Sequence, residues 1–115
     1  MITATTDNKS TRRFITAIEQ FRELDPNIQA TSIVVFMAAA SRPGATAREL
    51  SQTSGITEYT LSRTLAALSE THRNGQPGLD LLTRKENPTD ARNKQIYLKE
   101  KGVALYKRIL ALTGD

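Results

Sequence analysis

The feature of this sequence that most constrains its fold is the punctuation between Thr46 and Glu70. Thr46-Ala47-Arg48-Glu49 has the form of a capping box: Thr46 caps the amide of Glu49, and the Glu49 side chain reaches back. About two turns of helix fit before Gly55, a residue suited to the left-handed conformation that ends a helix. Thr57 then caps a further helix to about Glu70, with Leu61, Leu65 and Leu68 sharing one apolar arc. Two short helices separated by a glycine-containing turn have the spacing of a helix-turn-helix, here over 46–70.

The flanking sequence supplies what must cover that motif. Residues 1–9 are polar and threonine-rich and are expected to form a flexible N-terminal arm. Ser10 or Thr11 offers an N-cap for a helix whose stripe is Phe14, Ile18, Phe21 and Leu24. Asp25-Pro26 is expected to end it and begin the next, with Asp25 as N-cap and Pro26 in the first helical position. That second helix runs from Ile28 to about Ala40. Its middle, Ile33 to Met37, is apolar all round, so it is buried on most sides, within this subunit or against a partner chain. Arg42-Pro43-Gly44 stops it.

After the motif, residues 71–78 read as loop, holding Asn74-Gly75 and Pro77-Gly78. Leu79 to Lys85 and Asn93 to Lys99 read as strands, with Ile96 and Leu98 alternating with Gln95, Tyr97 and Lys99. Glu86 to Asp90 supplies turn chemistry, so 79–99 is a β-hairpin with a polar tip. Gly102 is expected to break the chain before a helix from Val103 to Leu112. Residues 10–115 thus form a single domain, mainly α with a two-stranded hairpin (α+β).

Composition narrows the function. The 115 residues suffice for one core but not for a multidomain enzyme. The absence of cysteine excludes disulfide scaffolds, zinc ribbons and thiol chemistry. His72, the single histidine, falls in the loop, and the carboxylates show no pairing suited to acid–base work. Neither an enzymatic activity nor a cofactor or metal is expected. The apolar run Ile33 to Ala40 is eight residues, too short to span a membrane. The N-terminus lacks the apolar core of a secretory signal, so a cytoplasmic location is expected. Sixteen Lys and Arg against twelve Asp and Glu give a net charge of +4, which permits nucleic-acid binding and is spread along the chain.

From Thr46 to Gly102 the sequence resembles the MarR family of transcriptional regulators. The general part of the match is Ala47-Arg48-Glu49-Leu50 through Gly55-Ile56-Thr57 to Leu61-Ser62-Arg63-Thr64-Leu65, a pattern many winged-helix families share. The more specific part is Leu81-Leu82-Thr83-Arg84, then Asp90-Ala91-Arg92, then Ile96-Tyr97-Leu98-Lys99-Glu100-Lys101-Gly102. The resemblance implies a winged helix-turn-helix with the hairpin as wing. It also implies a homodimeric repressor that binds double-stranded DNA, with N- and C-terminal helices forming the dimer interface. The sequence departs from the family in a longer Ser69–Asp80 segment and in Ala91, where arginine is common. It ends at Asp115, which predicts a trimmed interface.

The candidate DNA-reading residues on the second helix are Thr57, Glu58, Tyr59, Thr60, Ser62 and Arg63, with Ala66 and Ala67 also placed outward. Arg63 suits a bidentate contact to guanine, and Tyr59 or Thr60 a thymine methyl or a phosphate. On the wing, Arg92 suits a narrow minor groove, Asp90 holds that guanidinium or caps the turn, and Arg84 and Lys94 add charge. Arg12 and Arg13 oppose the helix dipole at a helix start and are read as exposed. The dimer interface is expected from Phe14, Ile18, Phe21, Leu105, Ile109 and Leu112. Phe14, Phe21, Phe36 and Met37 also permit a small-molecule effector pocket, though core packing accounts for them. The rival readings are a replication or recombination accessory factor on the same fold, and a winged helix used for protein–protein contact.

Overall fold

The computed structural model describes residues 8–69 and 77–114, apart from the side chains of Ala91 and Arg92. The order is α1 (Asn8–Arg22), α2 (Ala30–Ser41), α3 (Ala47–Ser54), α4 (Glu58–Leu68), β1 (Leu82–Asn87), β2 (Asp90–Leu98) and α5 (Glu100–Thr113). Most of the expected arm, residues 1–7, and the loop residues 70–76 with His72 lie outside the described residues.

Helices α1 and α5 pair antiparallel. Arg13 of α1 donates from Nε to the Leu112 carbonyl at 2.6 Å and from Nη2 to the Gly114 carbonyl at 2.8 Å. Further along, Arg108 Nε donates to Gln20 Oε1 at 3.0 Å. Arg13 is therefore not a solvated cation: it places positive charge on the orphan carbonyls at the C-terminus of α5.

The start of α2 differs from the sequence expectation. Asp25 does not cap a helix; its Oδ1 accepts from the Asn27 amide at 3.0 Å and its carbonyl from the Ile28 amide at 3.0 Å. Pro26, with φ fixed near −65°, takes the second position of that β-turn rather than the first of a helix. Helix α2 begins five residues after Asp25, behind Gln29, which makes no side-chain cap. The turn carries the chain from the end of α1 so that Phe21 meets Phe36 edge-to-face, with ring centroids 5.7 Å apart. Val35 and Phe36 are fully buried and Val34 is about half exposed, so the chain itself covers α2 on most sides.

The wing starts later than expected, and its strands run closer to the tip. β1 and β2 pair antiparallel with Leu82 opposite Leu98, Thr83 opposite Tyr97 and Arg84 opposite Ile96, and an irregularity lies between Lys85 and Asn87. Only Pro88 and Thr89 form the tip, where Asn87 Oδ1 accepts from the Thr89 amide at 3.0 Å. Leu79–Leu81 are not strand. Their amides instead bond to carbonyls at the end of α4: Leu79 to Ala67, Asp80 to Ser69 and Leu81 to Leu68, at 2.8–3.0 Å. On its other side β2 is flanked by the segment entering α3. There Gly44 donates to the Ile96 carbonyl and the Ile96 amide donates to the Ala45 carbonyl, both at 2.9 Å. The wing is thus fastened to both ends of the helix-turn-helix.

Gly102 does not break the chain; it sits in the first turn of α5. A Cβ there would lie 2.2 Å from the Leu81 carbonyl oxygen, so glycine is required by close approach rather than as a helix stop. Lys99 reinforces this crossing by donating its amide to the Leu81 carbonyl at 2.9 Å and pairing its ammonium with Asp80 at 2.7 Å. Phe21, Phe36, Leu50, Leu61, Leu65, Leu81, Ile96 and Leu105 belong to one continuous core.

Candidate nucleic-acid interface

The capping box forms as the sequence requires. The Glu49 amide donates to Thr46 Oγ1 at 3.2 Å, and the Thr46 amide donates to Glu49 Oε1 at 2.9 Å. The Thr46 amide, with a smaller contribution from its hydroxyl, holds the Glu49 carboxyl below its ordinary pKa range. Gly55 ends α3 with φ +77°, in the left-handed region. The turn into α4 is closed by side chains: Ser51 Oγ donates to the Ile56 carbonyl, and Ser54 Oγ accepts from the Ile56 amide. Thr57 Oγ1 then accepts from the Thr60 amide at 3.3 Å and caps α4. These bonds are all local, which is why the sequence displays them.

Helix α4 is held from one side. Leu61, Leu65 and Leu68 are buried against the core, while Glu58, Tyr59, Thr60, Ser62 and Arg63 are exposed. Ala66 departs from expectation, because it is buried too. Both α2 and α3 pack on α4, so its buried arc is wider than the leucine stripe. Tyr59 is 67% exposed, and Arg63 lies over its ring with the guanidinium carbon 5.5 Å from the centroid.

An open polar groove runs beside this face. It is lined by Asp25, Asn27, Gln29 and Ser32 on one wall and Thr60, Arg63, Thr64 and Ala67 on the other. The first wall escaped sequence reasoning, because assigning Asp25-Pro26 to a helix start concealed the turn that builds it.

On the wing, Arg84 and Lys94 are exposed and share the sheet face that carries Leu82 and Ile96 nearer the core. Lys85 lies on the opposite face, its ammonium 5.3 Å from the Tyr97 ring centroid. Asp90 Oδ2 accepts from the Asn93 side-chain amide at 2.7 Å, and the cap at Thr89 comes from Asn87 rather than from Asp90. The side chain of Arg92 lies outside the described residues.

The expected dimer residues divide. Phe21, Leu105 and Ile109 are buried in the core of the chain itself, so their place is internal packing and not an outer face. Ile18 and Leu112 are half-buried. Phe14 is 63% exposed, and Ile15, Val103 and Leu110 join it as large exposed apolar side chains of α1 and α5. Among the described residues there is no cluster of three metal-ligating side chains and no helix long and apolar enough to cross a membrane.

A helix-turn-helix whose second helix leads into a two-stranded wing is a winged helix. With α1 and α5 paired beside it, the chain has the MarR-like winged-helix fold. Its similarity to solved structures is of this kind. A mutant MarR from E. coli complexed with operator DNA aligns with TM-score 0.63 and 22% identity, over 90% of this chain and 70% of that one. The transcriptional repressor CouR bound to a 23-mer DNA duplex aligns with TM-score 0.61 and 24% identity, over 89% and 68%. The PcaV regulator from Streptomyces coelicolor aligns with TM-score 0.60 and 18% identity, over 89% and 70%. No family model matches the sequence, and no curated protein matches it.

Proposed function

We propose that this chain binds double-stranded DNA sequence-specifically and regulates transcription as a homodimeric repressor in the cytoplasm. The observation that carries this reading is the outer face of α4. It offers Tyr59, Thr60, Ser62 and Arg63 to solvent with no carboxylate at its centre, on a helix immobilised by three buried leucines. Such a helix fits a major groove, with Arg63 paired to a guanine and Thr57, Thr60 and Ser62 serving bases or phosphates. Glu58, exposed at the start of α4, would accept from a cytosine amine. Arg84, Asp90, Arg92 and Lys94 belong to a wing that meets the minor groove and backbone. The two neighbours held on DNA share this fold, which supports the same use here.

Dimerisation is supported by Phe14, Ile15, Val103 and Leu110, large apolar side chains left exposed on α1 and α5. Two copies joined there would bring two α4 helices to half-sites roughly 34 Å apart, one helical turn of DNA. The test is selection of bound duplexes from a random pool, with sedimentation of the same protein alongside. The reading expects enrichment of a palindromic motif and a dimer. A pool left unenriched would refute it and favour the protein-contact reading.

A further inference from the structure

Among the described residues, Arg63, the exposed cation of α4, is paired with no acid. Among the described residues, the contacts of Arg63 are to Tyr59: Nη1 donates to Tyr59 Oη at 3.4 Å, and the guanidinium carbon lies 5.5 Å from the ring centroid. Residues four apart stand one above the other on a helix, so this contact runs along the outer face of α4. A carboxylate is nonetheless nearby in the architecture, since Asp25 lines the groove that Arg63 also lines. An unrestrained arginine has two places to go, outward or across the groove toward that acid.

We propose that Tyr59 is a positioning residue. Its ring holds the Arg63 guanidinium extended on the outer face of α4, so that its paired N–H donors are presented to the O6 and N7 of a guanine. This rests on the DNA-binding reading and assigns Tyr59 a role within it other than contact with a base. An aromatic face restrains a guanidinium without neutralising it or occupying all its in-plane donors, whereas a carboxylate fork would occupy them. The hydroxyl bond is long, so the ring carries most of the effect.

The test compares Tyr59→Leu, Tyr59→Phe, Arg63→Ala and the double variant Tyr59→Leu/Arg63→Ala on duplexes differing at one base pair. The Arg63 Nε–H resonance of the free proteins is recorded alongside. Tyr59 is largely exposed, so the variants keep the fold, which far-ultraviolet circular dichroism verifies. Tyr59→Leu is expected to reduce discrimination for guanine at one position by about 2- to 5-fold, the worth of an exposed cation–π contact. Tyr59→Phe should retain most of that discrimination, and Tyr59→Leu should add nothing once Arg63 is alanine. In the free protein the ring current should displace the Arg63 resonance in the parent and Tyr59→Phe but not in Tyr59→Leu. A loss from Tyr59→Leu that persists without Arg63 would overturn the proposal, because Tyr59 would then read DNA itself. An Arg63 resonance indifferent to Tyr59→Leu would also overturn it. Absence of duplex binding by the parent protein would strike the DNA-binding reading alone, with the stack still judged by the resonance.

Discussion

Replacing Gly102 with alanine sets two effects of opposite sign against each other. Helix propensity alone favours alanine by up to about 1 kcal/mol, because glycine loses more backbone freedom on folding. The structure opposes this. The added Cβ would stand 2.2 Å from the Leu81 carbonyl oxygen, a separation that real contacts do not tolerate, and 3.1 Å from its carbon, which is tight. Relief requires α5 to move away from Leu81, whose carbonyl receives the Lys99 amide and whose own amide bonds to Leu68. Overpacking of this kind costs about 1–3 kcal/mol, and here it acts on backbone rather than a flexible side chain. The net expectation is a loss of roughly 1–2 kcal/mol, or a melting temperature lower by about 4–8 °C. Urea titration followed by circular dichroism at fixed protomer concentration measures it. Gly55→Ala is the control: a Cβ there meets nothing within 4 Å, so its cost of about 1 kcal/mol comes from φ +77° alone. A Gly102→Ala protein as stable as the parent, or more so, would refute the crossing of α5 over Leu81.

Four further outcomes follow from the same structure. Phe36→Ala removes a fully buried ring packed edge-to-face on Phe21 and should cost about 3–5 kcal/mol in denaturant titration. Arg13→Ala uncovers the last carbonyls of α5 and should cost on the order of 1 kcal/mol, with faster amide exchange confined to the α1–α5 pair. The folded-state pKa of Glu49 is depressed, so its contribution is complete above the unfolded-state value and fades as pH falls through the lowered one. The stability difference between the parent and Glu49→Gln should therefore shrink in acid, measured by denaturant titration from neutral pH downward. On the proposed dimer, Leu110→Glu, at an exposed apolar position of α5, should yield monomers in sedimentation while leaving the circular dichroism spectrum unchanged.

What the sequence made legible follows the range of the interactions involved. The capping box, Gly55 and the Thr57 cap each close within a few residues, so their chemistry is written locally. Asp25-Pro26 satisfies equally the rules for a helix start and for a β-turn; the meeting of Phe21 with Phe36 selects the turn. Gly102 was ambiguous for a related reason, since glycine serves both as a breaker and where backbones approach closely. Leu79 to Leu81 carry strand-like alternation, yet their amides go to the end of a helix, a choice fixed only in three dimensions. The same limit governs Phe21, Leu105 and Ile109. A stripe shows that a helix buries one face, not whether its own chain or another covers it. Of the candidate site, the α4 residues were legible because the leucine arc fixes which side faces out. The groove wall at Asn27, Gln29 and Ser32 was not, because it depends on that turn.

In the proposed function, the outer face of α4 and the wing bind duplex DNA with sequence preference. Affinity for a selected duplex and for its scrambled counterpart, each titrated across salt concentrations, decides whether they do. A dimer contacting roughly six phosphates predicts a log–log slope near −5 for both duplexes. The selected sequence should keep an advantage that Arg63→Ala reduces by about 1–3 kcal/mol per half-site. Equal affinity for the two duplexes at every salt concentration, or no binding even at low salt, would rule out sequence-specific DNA binding by this surface.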